Sequence, residues 1–356
     1  MTKTNRLKQS DKRMVDLNAV AAQIASTQRP SGEIPWWDQG QSDPWDHVEA
    51  AMGLTIGGYL DQAERAYEWL KEIQLEDGSW YTNYLDGAVC DRTRQTNMSA
   101  YIAVGVFHYY LSTGDTAFLN RMWPTLQAAI DFVLRLQAPT GEIFWAVSPQ
   151  GKVDPMALLT GCSSIFFSLK CALAVARRLN DAERAWRTAR DLLQAAIKNR
   201  PYAFNMTKAR YSMDWFYPIL AGVISGERAR RRIEKYWKKF VVENKGVRCV
   251  SDQPWITTAE TSELVIALAA MGNHSLAEIV FNWISERTFD DGSFWCGFTL
   301  PKHTRWPQEK SSWTNAAVLL AADALYHLTP AGPMFSHQYW RTDDPLRSCV
   351  ENPSRV

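Results

Sequence analysis

Net charge is nearly absent from this chain. Its 356 residues carry 39 Lys and Arg against 38 Asp and Glu, a formal charge of +1. The basic residues do not gather on one stripe, so the electrostatic footprint of a nucleic-acid binder is missing and no nucleic-acid partner is expected. Cysteine is sparse and unpatterned: there are six, with no CxxC. Cys162 and Cys171 fall in an apolar helical run, where a small buried thiol is ordinary, and a reduced, cytoplasmic protein is expected. Six histidines leave little from which to build a metal centre, and neither metal nor cofactor is expected. No uninterrupted apolar run approaches the roughly 18 residues of a membrane span. The opening MTKTNRLKQSDKR lacks the apolar core of a signal peptide. Neither a transmembrane segment nor a leader is expected.

What the chain has in plenty is tryptophan and tyrosine, 16 and 13 respectively. Several of them sit in a recurring phrase. Gln74-Leu-Glu-Asp-Gly-Ser-Trp80 closes an amphipathic helix and opens a loop. Degraded copies run from Gln28 to Trp36, from Gln137 to Trp145 and from Phe289 to Trp295, and Gly246-Val-Arg-Cys249 stands where a further copy belongs. A helix-ending phrase that returns at intervals marks a repeat.

Between the phrases, helices alternate in character. Trp45 to Tyr59, Thr96 to Ser112, Leu158 to Leu179, Ser212 to Ser225, Thr257 to Met271 and Ser312 to Leu328 are apolar nearly all round, as inner helices should be. Asp16 to Gln28, Asp61 to Gln74, Phe118 to Gln137, Asp181 to Asn199, Glu227 to Val242 and Ser275 to Thr288 have one polar face and read as outer helices. Pro218 is expected to kink its helix or delay its start. The first helix has no inner partner before it and the last inner helix has no outer partner after it. Laying the first beside the last closes a ring, whereas an open solenoid would expose two apolar end faces. The expected fold is therefore all-α, a single (α/α)6 toroid over residues 16–329, with a polar N-terminal extension at 1–15 and a C-terminal tail, coil packed on the surface or disordered, at 330–356.

In such a ring every outer-to-inner loop opens on the same rim, and these are the long loops. They hold Trp36, Trp37, Trp45, Trp80, Tyr84, Asp91, Arg92, Trp145, Tyr211, Trp215, Trp255, Trp295 and Trp306, with Trp313 at the start of the last helix and Glu49 one turn inside its own. These are the candidate substrate-binding residues. Four carboxyl groups are the catalytic candidates: Asp46, Asp214 and Glu260 at inner-helix starts, and Glu309 in the last rim loop. Glu260 is preferred to Glu263 as nearer the rim, and Asp77 and Asp291 of the glycine phrases read as turn formers. Flat indoles stack on sugar faces, and two carboxyl groups across a cavity can act as general acid and as base or nucleophile. The same aromatic wall could stabilise a carbocation while one protonated Asp starts a cyclisation. A non-catalytic scaffold or binding protein is the third reading.

The glycine phrases resemble the QW-type repeats of squalene and other class II terpene cyclases, and TTAETSELVIALAAMG and SSWTNAAVLLAADAL are similar to prenyltransferase β-subunit and cyclase helices. The cyclase acid motif Asp-x-Asp-Asp is absent; the nearest runs are Asp43-Pro-Trp-Asp46 and Asp290-Asp291. The chain also looks like the six-hairpin glycosidases. Trp37-Asp-Gln-Gly-Gln-Ser-Asp-Pro-Trp-Asp46 is similar to the glucoamylase phrase ahead of an inner helix, and that resemblance implies Asp46 as the acid and a base near Glu309. The reading taken forward is acid/base hydrolysis of a glycoside, with a small-molecule or oligosaccharide substrate in the central cavity. An isoprenoid-processing enzyme is the alternative.

Overall fold

Each glycine phrase turns out to be a joint between neighbouring outer helices. In the computed structural model, which describes residues 15–181 and 184–341, the Gln74 amide donates to the Gly78 carbonyl and to that of Thr125 on the next outer helix, both at 2.9 Å. Gln28 bonds Gly32 and Gln62 in the same way, and Gln137 bonds Gly141 and Ala189. The glycine is required at each joint. At Gly78, with φ +87°, a Cβ would lie 2.0 Å from the Ala128 carbonyl oxygen, which no side chain tolerates. Asp77 accepts from the Ser79 amide at 3.0 Å and pairs with Arg94, so it forms the turn as its place in the phrase suggests.

The outer helices are α1 (Leu17–Thr27), α3 (Leu60–Glu72), α6 (Thr116–Leu134), α8 (Arg184–Asn199), α10 (Gly226–Phe240) and α12 (His274–Asn282). The inner ones are α2 (Pro44–Ile56), α4 (Thr96–Ala100) continued beyond Tyr101 as α5 (Ile102–Thr113), α7 (Leu159–Arg178), α9 (Ser212–Leu220), α11 (Thr258–Ala270) and α13 (Ser312–Tyr326). Inner and outer character follows from composition. Every residue of α11 is buried, whereas α10, GERARRRIEKYWKKF, buries only Ala229, Ile233 and Phe240. Pro218 sits in the last turn of α9 without displacing its start.

The ring closes. Each inner helix packs on the next, α13 packs on α2, and α1 packs on α13. Small residues permit the close approach: a Cβ at Gly53 of α2 would come within 3.1 Å of the Ala316 Cβ on α13. The last glycine phrase completes the outer circle, since Gly292 lies against Ala19 of α1. Helix α7 is long and apolar enough to cross a membrane, but 78% of its most apolar window is buried inside the ring, which accounts for its composition.

The rim loops contain short strands that helical periodicity does not reveal. β1 (Asn83–Leu85) pairs with β2 (Ala88–Asp91), and β3 (Arg94–Gln95), β4 (Ala146–Val147) and β5 (Val153–Asp154) form a second small sheet. β6 (Val241–Val242), β7 (Gly246–Arg248), β8 (Trp255–Thr257), β9 (Gly297–Thr299) and β10 (Thr304–Arg305) make an antiparallel sheet in the order β10-β9-β8-β7-β6. At the opposite end, the segment expected to be a tail is packed as far as Arg341. Ala331, Met334 and Phe335 are buried, and Trp340 rests on Phe107 and Phe167. The proposed N-terminal extension, apart from Val15, and the rest of the tail with Cys349 lie outside the described residues.

Candidate active site at the rim

The start of α2 is built by one aspartate. Asp43 caps the helix, its Oδ1 accepting from the amides of Trp45 at 2.8 Å and Asp46 at 3.0 Å, while its Oδ2 accepts from the Trp36 indole at 2.6 Å. Pro44 fills the first helical position, where a missing N–H costs nothing. This cap fixes Asp46 in the first turn and Glu49 one turn deeper. On α11, Glu260 and Glu263 stand three residues apart and share a side.

Five carboxyl groups thus converge from two helices that flank α13. Asp46 feels the charges of Asp43, Glu49 and Glu260; Glu263 feels those of Glu49, Glu260 and Asp46. Among the described residues no Lys or Arg pairs with any of the five. The physical result is proton retention. Burial first, and then the neighbouring carboxylates, push Asp46 and Glu263 well above the ordinary range. Burial lifts Glu49 to about 7, although the hydrogen bond from the Tyr101 hydroxyl acts in the opposite direction. Burial also raises Asp43 to about 6, against the three N–H groups that it accepts.

Aromatic rings close the site from the sides. Tyr101 donates to Glu49 Oε1 at 2.9 Å, and its ring stacks on Trp45 with centroids 4.1 Å apart. Tyr217 lies against Trp45 at 5.8 Å and near enough to feel the charges of Glu49 and Glu263. The other Glu49 oxygen, both oxygens of Glu263 and the indole N–H groups of Trp145, Trp295 and Trp313 are buried without a hydrogen-bond partner. Buried polar atoms are ordinarily satisfied, and a ligand rich in hydroxyls supplies both donors and acceptors.

The remaining candidates are distributed unevenly. Trp36 and Trp37 touch at 5.8 Å and border the α2 cap. Trp255 and Trp306 meet edge to face at 5.0 Å, with Trp306 55% exposed on the five-stranded sheet. Tyr211 is also exposed. Trp80, Tyr84 and Trp215 are buried, and their polar atoms are used internally: Trp80 donates to Leu70, Trp215 to the Arg232 carbonyl, and the Tyr84 hydroxyl accepts from the Tyr81 amide. Asp91 accepts from the Thr93 amide, and Arg92 lies exposed over the Tyr81 ring. Asp214 is set apart from the five acids. It accepts from the Thr160 hydroxyl at 2.6 Å and amide at 3.2 Å, capping the start of α7, and it lines a separate cavity with Arg232. Glu309 is exposed in its loop and is absent from the charges acting on the cluster.

Sequence reasoning ranked Glu263 below Glu260 and did not single out Tyr101 or Tyr217. The spacing of 260 and 263 was the available signal for the first. Neither tyrosine carried one, because both lie in helices that are apolar on every face.

The fold, with its acid-lined, aromatic rim, is that of the six-hairpin toroids. A glycosidase whose structure holds glucose matches with a TM-score of 0.70 at 16% identity, over 89% of this chain and 98% of its own. A D-mannose isomerase shares the fold at a TM-score of 0.65 and 11% identity, over 88% of this chain and 96% of its own. The architecture alone therefore does not name the reaction. Sequence does more: the chain is 47% identical over 315 residues, 88% of its length and 87% of the relative's, to the MMP endo-(1,4)-3-O-methyl-alpha-D-mannosidase of Mycolicibacterium hassiacum. It belongs to the family of that enzyme. No family model matches the chain. The relation decides between the readings left open by the sequence, in favour of a carbohydrate-active enzyme over a terpene cyclase or a scaffold.

Proposed function

We propose that the protein hydrolyses an α-(1→4)-linked mannan bearing 3-O-methyl groups, cutting within the chain, as the name of its relative describes. The observation that carries the reading is the set of five carboxyl groups from α2 and α11, with Asp46 and Glu260 in one another's field. Asp46 is the general acid. Burial and its acidic neighbours favour its protonated form, so it can protonate the leaving glycosidic oxygen. Glu260, on the other helix, is the second carboxylate, acting on water or on the anomeric carbon. Asp43, Glu49 and Glu260 contribute the negative surroundings that hold the Asp46 proton. The substrate lies in the central cavity, where the indoles of Trp36, Trp37, Trp145, Trp295 and Trp313 offer apolar faces for sugar rings and methyl ethers, and the N–H groups of Trp145, Trp295 and Trp313 serve hydroxyls.

The test is incubation with a 3-O-methylated α-(1→4)-mannooligosaccharide and with its unmethylated counterpart, followed by mass analysis of the products. Shorter oligosaccharides from the methylated chain are expected. An unchanged chain length with an isomerised reducing end, or cleavage of neither chain, would overturn the proposal.

A further inference from the structure

A second cavity, of about 910 Å3, lies at the end of the ring away from the acid cluster. It is framed by the last turns of α7 and α11, the face of α8 and the segment around His337, and its size suits a small-molecule ligand. Its charge is one-sided. Lys170, Arg177, Arg187, Arg190 and Arg341 line it, and among the described residues the only carboxylate on its wall is that of Asp191, held by Arg190 at 2.7 Å.

Lys170 is the unusual member. Its ammonium lies 4.4 Å from the Trp340 ring centroid and 5.3 Å from that of Phe167, and no carboxylate pairs with it among the described residues. Gly222 keeps the space beside it open, since a Cβ there would stand 3.3 Å from both Lys170 Nζ and His337 Cδ2. Burial brings the Lys170 ammonium down to about 7, so a neighbouring anion would favour its charged form. Helix dipoles do not account for the whole set. Cations near the C-terminal turn of α7 complement its negative end, but Arg187 lies in the first turn of α8, where a cation is disfavoured.

We propose that this cavity binds a small multivalent anion, a phosphate ester or polycarboxylate with at least two negative groups, through Lys170, Arg187 and Arg190. Arginine forks and a lysine point charge converging from two helices suit such a ligand.

Calorimetric titration of the full chain with pyrophosphate and with citrate, against sodium chloride at matched ionic strength, tests this. Saturable binding of one of the two is expected, and which one binds assigns the phosphate or the carboxylate source. Arg187→Gln and Arg190→Gln should each weaken it about tenfold, and Lys170→Met should weaken it at least as much. The two arginine variants should retain wild-type glycan cleavage, so a fold defect is separable from loss of the site. Absence of saturable binding, a response that chloride reproduces, or wild-type affinity in Arg187→Gln and Arg190→Gln would overturn the proposal.

Discussion

Replacing Glu49 by Gln should make the protein more stable at neutral pH, even though Glu49 is buried and hydrogen-bonded. In the folded protein its carboxyl is raised from 4.5 to about 7, with burial as the largest cause. Below pH 4.5 the group is protonated in both folded and unfolded chains and contributes nothing. Between 4.5 and 7 the unfolded chain releases the proton first, so stability falls by about 1.4 kcal/mol per pH unit. Above 7 both states are ionised and the loss is constant at about 3 kcal/mol. Gln abolishes the titration and keeps an oxygen to accept from Tyr101. The gap between variant and wild type should therefore be close to zero near pH 4.5 and grow to as much as ~3 kcal/mol in favour of the variant by pH 8. Urea unfolding midpoints for the two proteins at half-unit intervals across that range provide the assay. A variant less stable at every pH, or a difference that does not change with pH, would refute the reasoning. The gain in stability should come with a loss of turnover, the expected trade where a site holds charges in unfavourable surroundings.

Two further outcomes follow from the joints and the caps. Gly78→Ala should cost about 3 kcal/mol or more, because left-handed strain adds to a clash with the Ala128 carbonyl, whereas Gly87→Ala, also at positive φ but with open space around it, should cost only about 1 kcal/mol; thermal or urea unfolding of the pair separates clash from strain. Asp214→Ala should lose about 1–2 kcal/mol as the cap of α7 disappears, while glycan cleavage by the folded fraction stays at the wild-type rate; a large fall in that rate would return Asp214 to the catalytic set.

The ring was legible because its joints need particular residues. Only glycine fits at Gly32, Gly78 and Gly141, and a glutamine four residues earlier reaches the next outer helix, so the phrase survives as a visible repeat. The contrast between α10 and α11 likewise records which helix meets water. The candidate site was legible at its entrance and obscure in its depth. Asp46, Glu49 and Glu260 stand at helix starts that a count of loops places on the rim. Tyr101 and Tyr217 sit in helices buried on all sides, where periodicity gives no direction toward the cavity. Trp80 and Trp215 share the rim's composition, yet each N–H is claimed by a nearby main-chain carbonyl, a choice that only the packed structure reveals. The strands of the five-stranded sheet went unseen because two or three residues apiece form them by pairing between separate loops, such as Ile256 with Phe298.

The most direct test of the account compares Asp46→Asn and Glu260→Gln with Glu309→Gln on a methylated mannooligosaccharide, with circular dichroism to verify folding. The buried cluster on α2 and α11 predicts that the first two lose turnover by about a hundredfold or more, while Glu309→Gln keeps it. Full turnover in folded Asp46→Asn, or its loss in Glu309→Gln alone, would contradict the assignment of the chemistry to that cluster.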